Sequence, residues 1–185
     1  MAECNRATGQ HKGRSSEELL DKGKIIQSLN ITEGQTILDA GCGSGYMARE
    51  FARLVKDSGR VYALDSNELA IKNLMSTLDT DIIEAFVSDV STTTKLGAST
   101  IDLIYLSNVV HIFSDAQMQG FVTEVKRLLK PKGMLAIVEI KKEETPFGPP
   151  QHMRLSPDEL TERIPLSPKE TVNINDYFYL QLFEK

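Results

Sequence analysis

The sequence lacks the features that mark membrane and secreted proteins. Its 185 residues contain no apolar run that approaches the roughly 20 residues required to span a membrane. Residues 1–14 are polar and carry no apolar core of a signal peptide. These absences predict a cytoplasmic protein that has no membrane partner.

An excess of basic residues is also missing. The chain has 21 Lys and Arg against 26 Asp and Glu, which gives a formal net charge of −5. Nucleic-acid-binding surfaces usually show clustered Lys and Arg, whereas the two signs are interspersed along this chain. The composition therefore disfavours nucleic acid and favours a small-molecule substrate. A monomer and a homodimer are both compatible with it.

Cysteine is scarce, since Cys4 and Cys42 are the only two. The cytoplasm would keep both reduced, and neither belongs to a spacing typical of metal ligands. We therefore expect two free thiols and no metal site, with Cys42 packing as a small residue.

What the sequence does contain is a regular alternation of short apolar segments with helical patterns. After the first apolar segment, Met47, Phe51, Leu54 and Val55 fall on one helical face. Such alternation predicts an α/β fold with a doubly wound, mostly parallel sheet and helices on both faces. The five predicted strands of this part are residues 37–38, 61–64, 82–87, 101–106 and 134–140, the last one following a turn at 131–133.

The pattern changes after Ile140. Three prolines and a glycine within residues 146–150 predict a loop, and Ser156-Pro157-Asp158-Glu159 has the residues of a capped helix start. Strands at 170–174 and 177–183, separated by Asn175 and Asp176, predict a tight antiparallel hairpin. Its strands complete a seven-stranded sheet.

The chain is therefore predicted to form a single domain over residues 15–185. Ser15 and Glu18 form a possible capping box at the start of a helix that extends to Leu29. Residues 1–14 are predicted to be a flexible tail or a lid.

A glycine-rich loop, Gly41-Cys42-Gly43-Ser44-Gly45, joins the first strand to the next helix. Such a loop lets the backbone approach a ligand closely, with helix N–H groups facing it. The dinucleotide fingerprint requires a third glycine where Tyr46 stands. Asp39 precedes the loop, and its carboxylate would repel a pyrophosphate but suits a ligand that carries an ammonium group.

Two further acids follow the next two strands. Asp65 ends the second strand and could accept both hydroxyls of a ribose, although an N-cap is the alternative. Asp89, in Ser88-Asp89-Val90, could accept from an adenine amino group, although a solvated loop acid is the alternative. Because ligands bind outside the carboxyl ends of strands in open α/β sheets, three acids in these places favour one shared ligand.

The order of these motifs resembles that of the class I S-adenosylmethionine-dependent methyltransferases. The resemblance runs from about Ile25 to the C-terminus, and residues 37–46, ILDAGCGSGY, are its most specific part. Residues 61–65, 88–90, 101–113 and 128–135 match the next motifs in order. The resemblance implies a Rossmann-like fold, S-adenosylmethionine as cofactor, S-adenosylhomocysteine as product and methyl transfer as the reaction.

The resemblance also implies roles for individual residues. The loop Gly41–Gly45 would hold the methionine part of the cofactor, and Asp39 its amino group. Asp65 would bind the ribose, Asp89 and Val90 the adenine, and Ser107 with Asn108 would lie near the sulfonium. The full set of implied cofactor contacts is Asp39, Ala40, Gly41, Cys42, Gly43, Gly45, Tyr46, Asp65, Ser66, Ser88, Asp89, Val90, Ser107 and Asn108.

Catalysis of methyl transfer rests mainly on alignment of the acceptor with an already activated methyl group. A base helps when the acceptor is a hydroxyl or a protonated amine. His111 follows the fourth strand and is the best-placed candidate base, although a structural histidine is the simpler interpretation. His11 and His152 are weaker candidates of the same kind.

Two other functions remain open from the residues alone. An NAD-dependent oxidoreductase is disfavoured by Asp39 and by Tyr46 at the third-glycine position. A non-catalytic S-adenosylmethionine-binding subunit of a larger assembly is the other alternative. The atom that accepts the methyl group is not predicted by the sequence.

Overall fold

The computed structural model describes residues 19–185 and contains one seven-stranded sheet. The strands are β1 (Thr36–Ala40), β2 (Arg60–Asp65), β3 (Ile83–Val87), β4 (Ile101–Ser107), β5 (Leu129–Ile140), β6 (Ser167–Asn173) and β7 (Phe178–Glu184). The helices are α1 (Lys22–Leu29), α2 (Tyr46–Val55), α3 (Glu68–Ser76), α4 (Asp115–Leu128) and α5 (Pro157–Arg163), with short 3₁₀ turns at Val110–Ile112 and Gln151–Met153.

The strand order is β3-β2-β1-β4-β5-β7-β6. The first five strands pair in parallel, and β7 lies antiparallel between β5 and β6. This confirms the predicted mostly parallel sheet with a C-terminal hairpin. The order reverses between β1 and β4, which is where open α/β sheets form a ligand crevice.

Helices cover both faces of the sheet, as predicted. On one face Ile25, Phe51 and Leu74 of α1, α2 and α3 belong to a buried apolar cluster. On the other face Phe121 of α4 and Leu160 of α5 belong to a second cluster. The aromatic residues of β7 divide between the two faces: Phe178 in the first cluster, Tyr179 and Phe183 in the second.

Side-chain caps fix the starts of four of the five helices, and α2 is the exception because it follows Gly45. Ser156 and Glu159 form the predicted capping box of α5, with Pro157 in its first turn. Helix α3 is capped by Asn67, whose Oδ1 accepts from the backbone N–H groups of Leu69 and Ala70 at 3.0 and 3.3 Å. The alternative in which Asp65 is an N-cap is therefore wrong.

Several predicted boundaries differ from the structure, and the starts of α1 and β5 differ most. Helix α1 begins at Lys22 because Asp21 caps it, accepting from Lys24 N at 3.0 Å. Strand β5 begins at Leu129, before the predicted turn, and its register with β4 shifts there. Lys132 keeps the left-handed conformation of a turn, with φ +64°.

Some predictions lie outside the described residues. They concern the tail at 1–14 with Cys4 and His11, and the capping box of Ser15 and Glu18. Within residues 19–185, no helix has the length and apolarity needed to cross a membrane.

Candidate functional site

A cavity of about 330 Å³ lies at the carboxyl ends of β1, β2, β3 and β4. Among the described residues, larger open depressions of about 540 and 620 Å³ lie elsewhere, the first beside the amino ends of β2 and β3. The crevice position singles out the smaller cavity as the candidate site. It is lined by Gly41, Leu64, Asp65, Ser66, Ser88, Asp89, Val90, Ser107, Asn108, Val109, Ile112, Phe113 and Gln117.

The structure brings eight of the fourteen predicted contacts together in this cavity wall. Five lining residues were not predicted as contacts: Leu64, Val109, Ile112, Phe113 and Gln117. Four of the five follow β4, so their position after a strand end was the available signal. The six predicted contacts outside the wall are Asp39, Ala40, Cys42, Gly43, Gly45 and Tyr46, which belong to β1, the glycine loop and the first residue of α2.

The glycine loop requires glycine at two positions. Gly41 and Gly45 have φ values of +76° and +78°, a region that L-residues with a Cβ rarely adopt. An ideal Cβ at Gly41 would lie 2.6 Å from Cγ2 of Val109, and one at Gly45 would lie 2.4 Å from Cδ1 of Leu74. The loop can therefore pack between the segment that follows β4 and helix α3 only without side chains at these positions.

Asp65 links the two loops that follow β1 and β2. Its Oδ2 accepts from the backbone N–H of Gly43 at 2.9 Å, and its Oδ1 accepts from that of Asn67 at 2.8 Å. An ionised carboxylate offers about four acceptor positions. Two backbone donors therefore leave Asp65 the capacity to bind ligand hydroxyls in the cavity.

The loop that carries Asp89 is held by a buried acid. Oδ1 of Asp89 accepts from Ser91 N at 2.8 Å. Further along, Glu124 of α4 accepts from N and Oγ1 of Thr94 at 2.9 and 2.8 Å. Burial alone would raise the pKa of Glu124, but hydrogen bonds from Arg127 and Thr94 outweigh it and hold that pKa below its usual value.

The cavity wall is acidic and polar. Asp65 and Asp89 contribute carboxylates, and Ser66, Ser88 and Ser107 contribute hydroxyls. Among the described residues, no Lys or Arg lines the cavity. Such a wall suits a ligand that presents a cation and hydrogen-bond donors, and it opposes a pyrophosphate.

A family model described as a methyltransferase domain matches residues 37–133, more than half of the chain. The chain belongs to this family. Its methyltransferase domain is also similar to a solved S-adenosylmethionine-dependent methyltransferase from Aquifex aeolicus. That likeness has a TM-score of 0.83 and 28% identity, and it covers 93% of both chains.

Curated relatives include longer proteins. An uncharacterised methyltransferase of Synechocystis sp. is 27% identical over 116 residues, which cover 62% of this chain and 51% of that protein. The sterol 24-C-methyltransferase of Eremothecium gossypii is 32% identical over 147 residues, which cover 76% of this chain and 38% of that protein. The matches thus span about half or less of these two relatives.

The family and the fold make S-adenosylmethionine the cofactor of this methyltransferase domain, and the cavity wall fits that molecule. A sulfonium, two ribose hydroxyls and an adenine amino group supply positive charge and hydrogen-bond donors. The wall offers two carboxylates and three hydroxyls beside apolar Leu64, Val90 and Phe113.

His111 lies next to the cavity, between the lining residues Val109 and Ile112. Its Nδ1 is 2.7 Å from Oε2 of Glu139, whose side chain is fully buried in β5. Glu139 was not predicted as a site residue from the sequence. The signal that could have indicated it is the single acid within the otherwise apolar run that ends at Ile140. His152 lies exposed in the second 3₁₀ turn.

The loop at 141–150 follows β5 at the same edge of the sheet. Arg154, only 5% exposed, donates to four backbone carbonyls of this loop. The predicted loop is confirmed, and one buried guanidinium fixes its path. The four acceptors are the carbonyl oxygens of Lys141, Glu143, Phe147 and Pro149.

Proposed function

We propose that the protein transfers a methyl group from S-adenosylmethionine to a small-molecule acceptor, and that the cavity at the strand ends binds the cofactor. The observation that carries the proposal is the composition of the cavity wall. It combines two carboxylates with three hydroxyls at the crevice of the sheet and has no cationic side chain among the described residues.

Each part of the cofactor has a candidate partner. Asp65 accepts the ribose hydroxyls, because its carboxylate retains acceptor capacity beside its two backbone donors. Asp89 accepts from the adenine amino group, and buried Val90 packs on the ring. The glycine loop holds the methionine part, with Asp39 behind it for the ammonium group.

The methyl group is already activated by the sulfonium, so the protein must chiefly position the acceptor and exclude water. Ser107 ends β4 and Asn108 follows it, and both line the cavity where we place the sulfonium. Asn108 has φ +56°, a left-handed conformation that Asn adopts more readily than most residues. The turn at Asn108 leads the chain from β4 into residues 109–113, which lie on the side of the cavity where we place the acceptor.

A small molecule is the favoured acceptor because the domain has an acidic total charge and a cavity of modest volume. One curated relative is named for a sterol, which is in keeping with this choice. Methyl-labelled S-adenosylmethionine offered with a panel of hydroxyl, thiol and amine compounds would identify the acceptor.

The first experiment is isothermal titration of the purified protein with S-adenosylhomocysteine, with NAD in parallel. We expect heat from S-adenosylhomocysteine alone. Asp65→Ala should abolish measurable binding, whereas Asp57→Ala, at an exposed position outside the cavity wall, should bind as the wild type does. Wild-type affinity in Asp65→Ala would refute the ribose assignment, and heat from NAD alone would refute the cofactor site.

A further inference from the structure

We propose, on the basis of the proposed methyl transfer, that the acceptor is a small apolar molecule methylated on a hydroxyl oxygen, and that His111, positioned by Glu139, takes the hydroxyl proton. His111 would be the catalytic residue and Glu139 the positioning residue. The proposal stands on the contacts of Glu139, on the location of the imidazole and on the apolar surface beside it.

Glu139 is a fully buried carboxylate with defined partners on both oxygens. Its Oε1 accepts from Val110 N at 2.9 Å and from His111 N at 3.4 Å. Its Oε2 faces Nδ1 of His111 at 2.7 Å. A carboxylate can only accept, so the proton of a neutral imidazole lies on Nδ1. Nε2 then carries the lone pair that a base requires.

The location of His111 leaves that nitrogen available to a substrate. The side chain of His111 is 11% exposed while that of Glu139 is 0% exposed. Because Nδ1 faces the buried partner, we place Nε2 at the exposed edge of the ring. Among the described residues, no hydrogen bond to Nε2 is found. Ile112, the next residue, lines the cavity.

Apolar residues flank His111 in the cavity wall. Val109, Ile112 and Phe113 line the cavity, and Ile112 is 63% exposed. Large hydrophobic side chains at the mouth of a site favour an apolar ligand. A neutral hydroxyl enters such surroundings at lower cost than an ammonium group does.

Tyr179, which lies beside Glu139 in the sheet, does not compete for the proton. Tyr179 of β7 pairs in register with Glu139, and its hydroxyl donates to Leu155 O at 2.6 Å. Burial, together with the carboxylates of Glu139 and Glu159, raises the pKa of Tyr179, so it stays neutral. Glu159 itself is paired with Lys142.

The proposed step balances in atoms and charge. Nε2 of His111 takes the hydroxyl proton, and an electron pair of the oxygen forms the bond to the methyl carbon. The bond from that carbon to sulfur breaks, and its electron pair stays on sulfur in S-adenosylhomocysteine. One positive charge leaves the sulfonium and one appears on the imidazole, next to the carboxylate of Glu139. The proton then passes to water.

The test begins with a readout that needs no turnover. Two-bond ¹⁵N–¹H spectra of the imidazoles would show Nε2 of His111 unprotonated and Nδ1 protonated. The chain has three histidines, so the signals lost in His111→Gln identify the residue. Glu139→Gln should reverse the tautomer, because its carbonyl still accepts from Val110 N while its amide donates to Nδ1. A proton on Nε2 in the wild type, or an unchanged tautomer in Glu139→Gln, would overturn the proposal.

The second readout is methyl transfer to two probe phenols at mildly alkaline pH. Transfer to 2-naphthol, which is largely protonated there, should fall by about 10²–10⁴-fold in Glu139→Gln, the usual contribution of a general base. Transfer to 4-nitrophenol, which is largely ionised, should fall much less because its proton is already gone. Equal losses with both phenols would overturn the role of the pair.

Controls separate this proposal from the methyl-transfer function. Glu162→Gln changes an exposed residue of the same type as Glu139 and should transfer at the wild-type rate. Glu139→Gln should still bind S-adenosylhomocysteine as the wild type does. Binding without transfer to either phenol in the wild type would overturn the hydroxyl acceptor alone. Absence of binding in the wild type would instead count against the proposed function.

Discussion

Gly120→Ala offers a sharp test of how helix α4 positions the adenine side of the site. Gly120 is half-buried, and an ideal Cβ there would lie 2.0 Å from the backbone oxygen of Ser91. Real Cβ atoms keep at least 3.0 Å from such atoms, so the helix and the loop must separate by about 1 Å. Ser91 N is hydrogen-bonded to Asp89, so the displacement reaches the proposed adenine contact.

Two opposing effects set the change in stability. Alanine in a helix interior is favoured over glycine by about 0.5–1 kcal/mol. Overpacking against an atom that cannot rotate away costs about 1–3 kcal/mol. The free energy of unfolding should therefore fall by about 0–2.5 kcal/mol. Gly23→Ala is the matched control, because its Cβ would meet only Asp21 Oδ1 at 3.5 Å, so it should be neutral or stabilising.

The affinity for S-adenosylhomocysteine should respond more clearly than the stability. Weakening one hydrogen bond at Asp89 costs about 0.5–1.5 kcal/mol, which is roughly a 2–10-fold rise in Kd. Isothermal titration and thermal unfolding of the wild type, Gly120→Ala and Gly23→Ala would measure both effects. A Gly120→Ala protein with raised Tm and unchanged Kd would refute the coupling of α4 to this loop.

Three further outcomes follow from other parts of the structure. Cys42→Ser should lower Tm but keep the Kd for S-adenosylhomocysteine within about threefold, because buried Cys42 acts as a small apolar residue; a complete loss of binding would contradict this. Arg154→Met should destabilise the protein by about 2–3 kcal/mol and speed proteolysis at residues 141–150, unlike exposed Arg163→Met. Because folding lowers the pKa of Glu124, its ionised carboxylate adds to the free energy of unfolding at pH values above 4.5, the usual pKa of the group. This contribution is lost as the pH falls through the lower pKa of the folded protein. Melting curves of Glu124→Gln should lack that part of the acid dependence.

The fold could be predicted from the sequence because buried parallel strands are continuous apolar runs with helical patterns between them. The start of β5 could not, since residues 131–133 have local turn chemistry. In the structure β5 includes these residues because they pair with the backbone of Lys185. The N–H of Lys185 donates to Gly133 O at 3.0 Å, and its carbonyl oxygen accepts from Lys132 N at 3.2 Å. That contact joins residues about 50 positions apart, and no local pattern indicates it.

The location of the site, like the fold, could be predicted from the sequence. Acids at three strand ends indicated the crevice, because topology places all carboxyl ends of a parallel sheet at one edge. The partner of His111 was not predictable, since it depends on the register between β4 and β5. Ser107 pairs with Val138 in that register, which sets Glu139 beside the turn after β4. Sequence spacing gives the strands but not their alignment.

Buried or half-buried acids around this crevice have one role in common, which is to accept hydrogen bonds from the backbone of loops. Three acids each accept backbone N–H groups from loops that follow strands of the sheet. Asp65 accepts from Gly43 and Asn67, Glu124 from Thr94, and Glu139 from Val110. Loops that leave parallel strands have N–H groups without strand partners, and a carboxylate satisfies two of them at once. Asp65, which lines the cavity, thus also fixes two of the loops that form it. Removal of the Asp65 carboxylate should therefore disturb ligand geometry before it unfolds the sheet, whose core lies on the apolar faces.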